Sequence, residues 1–162
     1  MTRKAPKLTH VAPDGAARMV DVSAKPETVR TARARGSIRM KTEALEAIRS
    51  HRVAKGDVLS IARVAGILAA KKTAELIPLC HPLVLDDIQV DLVPDPELPG
   101  VRVETQVRTT GRTGVEMEAI VAATVALVTV YDMVKSADRS MVIGDISLIE
   151  KTGGQRGKYF AD

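Results

Sequence analysis

The chain has 162 residues, 45% of them hydrophobic and 27% charged, which suits one domain with a genuine core. Two Tyr, one Phe and no Trp leave little for base stacking and argue against a binder of single-stranded nucleic acid. A net charge of +4 favours anionic ligands without requiring them, while the lone Cys80 excludes an internal disulfide and offers no zinc-type cysteine spacing, in keeping with a reducing compartment.

The opening MTRKAPKLTH has no apolar leader core, and the longest charge-free run, residues 119–131, is too short to cross a bilayer. A cytoplasmic protein with no membrane role is expected. The whole chain, residues 1–162, reads as a single domain with mobile ends at 1–16 and 152–162. Residues 19–22 alternate weakly and suit a short edge strand. Residues 28–40 mix β-branched residues with Arg30, Arg33, Arg35 and Arg39, a pattern compatible with a strand whose one face is strongly basic; a merely solvated face is the plainer alternative.

Residues 42–50 form a short amphipathic helix with Leu45 and Ile48 inward. Lys55-Gly56-Asp57 is a helix start in which Asp57 caps the next amides, and it sets a cation beside a helix N-terminus that favours anions. The helix should run over residues 58–76 and stop near Pro78, which cannot donate to it. Next comes LCHPL, in which Cys80 and His81 lie between two prolines where the backbone is stiff. In an extended stretch neighbouring side chains point apart, so the two are not expected to form a thiolate–imidazole pair.

Two alternating runs follow at 83–93 and 101–110, joined by a loop with three prolines and a glycine, the pattern of a hairpin. Residues 114–135, GVEMEAIVAATVALVTVYDMVK, have no polar face and read as a buried helix. Glu116 and Glu118 stand at its front, about 200° apart around the axis, so at most one should face a given pocket. Asp132 and Lys135 stand at its back, three residues apart and able to touch. The 14 steps from Glu118 to Asp132 span roughly 21 Å, too far for one small-molecule site within one copy. Either other segments supply charge to each end, or a second copy packs antiparallel across a two-fold axis.

A last strand at 141–150 precedes a polar, glycine-rich tail. There, Lys151-Thr152-Gly153-Gly154 looks like a phosphate loop but lacks the spacing and the following helix. Counted from residue 28, the order strand, helix, strand, strand, helix, strand is that of an α+β, ferredoxin-like βαββαβ fold: an antiparallel sheet with two long helices on one face and a short inserted helix.

Taken together, KGDVLSIARVAGI, LIPLCHPL, TGVEMEA, YDMVK and MVIGDISLIEKTGG resemble the cyclic pyranopterin monophosphate synthase family along nearly the whole chain. The resemblance implies a lyase of molybdenum cofactor biosynthesis. It would convert (8S)-3',8-cyclo-7,8-dihydroguanosine 5'-triphosphate, the product of a radical SAM GTP 3',8-cyclase, to cyclic pyranopterin monophosphate and diphosphate. It further implies a homohexamer built as a trimer of dimers, with sites at a subunit interface.

The family's catalytic positions fall on Asp132, Lys135, Lys55, His81 and Glu116, with substrate contacts from Leu79, Cys80, His81, Met117, Glu118 and Lys151. No tightly bound cofactor and no protein-held metal is implied, although magnesium is compatible with a triphosphate substrate. Gln155 and Arg156 depart from the family's usual tail. Ring opening and rebuilding need several proton transfers, and expelling diphosphate needs cations around developing negative charge, for which Lys55, Lys151 and Arg30 are candidates. The competing readings are a ferredoxin-like nucleic-acid-binding module and a non-catalytic oligomeric scaffold.

Overall fold

The computed structural model describes residues 15–154 and 157–161. The lead-in at 1–14 and the departure at Gln155 and Arg156 lie outside the described residues. The elements run β1 (Thr28–Arg39), α1 (Thr42–Arg49), α2 (Val58–Lys71), α3 (Thr73–Leu76), β2 (Asp87–Asp95), β3 (Gly100–Gly111), α4 (Glu116–Val134), β4 (Val142–Thr152) and β5 (Tyr159–Phe160). They form one sheet in the order β2-β3-β1-β4-β5, with every neighbouring pair antiparallel. This is the α+β, ferredoxin-like arrangement expected from the order of elements.

α4 is apolar all round because it is the core helix. Its residues Ala119, Ala122, Ala123, Ala126, Leu127 and Val130 have no exposed surface, and each fully buried Leu or Val contributes about 1.5–3 kcal/mol. By length and composition α4 is also the one described helix able to cross a membrane, yet more than half of it is buried inside the fold. Small residues bring α2 onto it: a Cβ at Gly66 would stand 2.9 Å from the Ala122 carbonyl oxygen and 3.3 Å from Ala126 Cβ. The outer surface of this helix pair keeps Ile61, Val64, Leu68 and Val128 exposed. Ile61 and Leu68, which carry the apolar periodicity of α2, therefore do not enter the core of the protomer.

Several expectations change in detail. The helix expected over 58–76 breaks at Lys72 into α2 and α3, where Thr73 Oγ1 donates to the Ala70 carbonyl at 3.0 Å and so competes with the helical ladder. Residues 19–22 are not a strand; the Val20 carbonyl instead accepts a hydrogen bond from His81. β2 begins at Asp87 rather than 83, after a segment tied down by Thr109 Oγ1, which donates to the Val84 carbonyl at 2.6 Å. The tail contributes β5, which pairs with Glu150 and Lys151 of β4.

The arginines of β1 do not share one face. Arg33, Arg35 and Arg39 alternate with the buried Ala32, Ala34 and Ile38, and they lie on the side of the sheet away from the helices. There Arg33 pairs with both Glu104 and Glu150. Arg30 belongs to the opposite face, and its Nε donates to the Gly111 carbonyl at 2.9 Å.

Candidate active site

The N-terminus of α4, the end of β4 and the 79–83 segment converge on a cleft of about 680 Å³. α4 starts after Val115 with no side-chain cap, so its first amides and the carboxylates of Glu116 and Glu118 sit at the cleft wall. Both glutamates line the cleft, contrary to the expectation that only one would. Glu116 is the first helical residue, and its carboxylate folds back over Gly114 instead of radiating from the axis. From there it meets Lys151 Nζ at 2.5 Å.

Glu118 is 4% exposed. Burial pushes its carboxyl up to about 7, the nearby Glu116 adds to the rise, and a backbone hydrogen bond opposes it. Near neutral pH this group is therefore divided between donor and acceptor forms, as a proton-transfer group requires.

Cys80 and His81 also both line the cleft. A turn just ahead of them, in which the Cys80 amide donates to the Ile77 carbonyl at 3.0 Å, delivers the segment to the cleft wall. The Cys80 thiol is pushed up by burial and by Glu118, which keeps it neutral and a poor nucleophile. His81 Nε2 lies 2.8 Å from the Val20 carbonyl oxygen. A carbonyl only accepts, so Nε2 carries a proton and Nδ1 is the nitrogen left to act.

A second cluster lies at the other end of α4. Asp132 Oδ1 accepts from Lys135 Nζ at 2.7 Å, and Lys55 Nζ lies 2.8 Å from both Oδ2 and the Asp132 carbonyl. The hydrogen bonds from Lys135 and then Lys55, reinforced by their charges, hold the Asp132 carboxyl down to about 2. All three side chains are about half exposed.

The structure thus brings Leu79, Cys80, His81, Glu116, Met117, Glu118 and Lys151 into one cleft and Lys55, Asp132 and Lys135 into another place. It does not join the two within one chain, because the length of α4 separates them. Sequence reasoning missed Lys25, Thr28, Arg112, Gly153 and Gly154 in the cleft wall. The paired glycines carried a signal: both have left-handed φ, +88° and +77°, and side chains there would overlap the backbone at Val29 and the Arg30 guanidinium. Among the described residues, no three His, Cys, Asp or Glu side chains converge as a metal site.

The sequence model of the MoaC family matches residues 19–154, a span that contains both clusters. The chain belongs to the MoaC family. It is 58% identical over 157 residues to a cyclic pyranopterin monophosphate synthase of Methylobacterium nodulans, covering 97% of this chain and 98% of that one. Proteins of the same name from Dinoroseobacter shibae and Brucella ovis are each 56% identical, over 96% and 94% of this chain and 98% and 93% of theirs.

For this MoaC-family chain the state of Glu118 carries a stability consequence. An acid whose folded pKa is raised from 4.5 to about 7 gives a contribution fully present below 4.5 and lost as pH rises through 7. Glu118→Gln mimics the protonated form and is expected to flatten that dependence. Urea unfolding at pH 8 should find the variant more stable than the wild type by on the order of 2–3 kcal/mol, with little difference at pH 4.5. Parallel stability profiles for the two proteins would mean that Glu118 is not held in a protonating environment.

Proposed function

We propose that this chain is a cyclic pyranopterin monophosphate synthase, a lyase of molybdenum cofactor biosynthesis. Its substrate is (8S)-3',8-cyclo-7,8-dihydroguanosine 5'-triphosphate, supplied by a radical SAM cyclase, and its products are the pterin monophosphate and diphosphate. The observation that carries the reading is the pair of charged clusters at opposite ends of α4, in a chain whose close relatives bear that name. The front cluster holds Glu118, His81 and Lys151, and the back cluster adds two further ammonium groups around Asp132.

The complete site combines the Glu116/Glu118 end of one copy with the Lys55/Asp132/Lys135 end of another. The exposed Ile61, Val64, Leu68 and Val128 on the outer surface of α2 and α4 support an antiparallel pairing, since four apolar side chains there are otherwise left in water. Three such pairs make the homohexamer.

Within that site Asp132 is a holder of cations. A carboxylate held down to about 2 is too weak a base to take a proton at neutral pH, whereas it fixes both ammonium groups by direct hydrogen bonds. Proton transfer then falls to Lys135, His81 Nδ1 and Glu118, whose carboxyl lies near neutrality. Lys151, Arg30 and Lys55 provide positive charge for the phosphates, Leu79, Cys80 and Met117 supply the walls against the ring, and magnesium accompanies the triphosphate where it is needed. The enzyme works in the cytoplasm, without nucleic acid: on the open sheet face Arg33 and Arg39 are paired with acids and Arg35 Nε donates to Ser147 Oγ, and strands β1 to β4 contain no aromatic residue.

Incubation of the purified protein with the cyclase product, followed by pterin fluorescence and diphosphate release, tests the reading. Stoichiometric appearance of both products is expected; unchanged substrate would reject it.

A further inference from the structure

We propose that Gly114 is a positioning residue: the space of its absent side chain is the seat in which the Glu116 carboxylate must lie to reach Lys151. A Cβ built at Gly114 would overlap Glu116 Oε2 and stand 2.7 Å from Glu116 Cδ and 3.0 Å from Oε1. Beyond the glycine and its two chain neighbours, these carboxyl atoms are the three nearest heavy atoms to that point. The backbone does not need a glycine there, since Gly114 lacks the left-handed φ found at Gly56, Gly153 and Gly154.

Two other tight glycines in the protein differ in kind, and Gly154, where a side chain would meet the Arg30 guanidinium, differs in having left-handed φ. Side chains at Gly100 and Gly153 would overlap the carbonyl oxygens of Ile38 and Val29, so the main chain would have to shift. At Gly114 only the far end of a flexible side chain must move, and that end is the carboxylate held at 2.5 Å by Lys151. Gly114 and Glu116 are only two residues apart, while Lys151 arrives from β4 on a distant part of the chain. The glycine therefore aims the carboxylate across the cleft at a partner that the helix geometry alone would not give it.

This inference rests on the reading that Glu116 and Lys151 serve the reaction, and the test separates the two. Gly114→Ala is expected to fold with a thermal unfolding midpoint close to that of the wild type. Its kcat/KM should fall about 10- to 100-fold, the cost of misplacing a site group by about an ångström. In a Glu116→Ala background the same Gly114→Ala change should cause no further loss, because the carboxylate through which it acts is gone. A crystal structure of Gly114→Ala should show Glu116 displaced from Lys151.

Wild-type rates in Gly114→Ala, an equal loss in the Glu116→Ala background, or a Glu116–Lys151 pair still at its original separation would overturn the inference. So would a variant that does not fold, since the inference requires that only a side-chain end need move. If the wild type itself converts no substrate, the functional reading fails, and the crystal structure still decides the role of Gly114.

Discussion

Lys135→Ala and Asp132→Asn are each expected to lower turnover of the cyclised GTP-derived substrate by about 10³-fold or more, within the range set by losing a positioned proton-transfer group or the carboxylate that holds it in place. Lys135→Ala removes the ammonium itself. Asp132→Asn keeps the shape but removes the charge that holds two ammonium groups, so Lys55 and Lys135 lose their common partner and repel each other.

Neither change should harm the fold much. The three side chains are about half in water, where ion pairs contribute little to stability. Circular dichroism and thermal unfolding should therefore match the wild type while the diphosphate assay falls to background. Retained turnover in both variants would instead favour a non-catalytic scaffold whose charged helix ends only join copies.

Mixing two inactive variants is expected to restore activity. Glu118→Gln damages the front end of α4, and Lys135→Ala damages the back end. If each site takes one end from each of two chains, a mixed pair contains one site with both lesions and one with neither. Random mixing makes half the pairs mixed, so about a quarter of wild-type activity should return after the subunits are exchanged by mild denaturation and refolding. A site built within one chain predicts no recovery at any ratio. Sedimentation of the mixture gives an independent check, because an active monomer would also remove the two-chain site.

Much of the fold was legible from local pattern. The periodicities of 2 and 3.6 located β1, β3, β4 and α1 within a few residues, because each buries one face or stripe against the core, and α4 showed as a long run with no polar face. The breaks were less legible. α2 stops at Lys72 because the Thr73 hydroxyl turns back on the Ala70 carbonyl, and no apolar spacing records that choice. β5 is only two residues long and exists through its ladder to Glu150 and Lys151, a long-range contact that its own sequence does not announce.

The same division holds at the site. LCHPL, GVEMEA and YDMVK marked residues that gather in the two charged clusters, and the length of the helix between the last two already required a second source of charge at each end. Helical geometry misled where it was applied to Glu116 and Glu118, because a side chain at a helix start can fold back over a glycine.

The sequence by itself determined the order of elements, the family resemblance and the separation of the two charged ends, since these follow from residue type and spacing along the chain. Only the tertiary structure decided that Glu116 meets Lys151, that Cys80 and His81 share one cleft, that Arg30 meets the Gly111 carbonyl, and that Glu118 is buried enough to titrate near neutrality. These depend on which distant segments pack together and how much water they exclude. The local chain does not encode either quantity, and together they set the charge states at the front of α4.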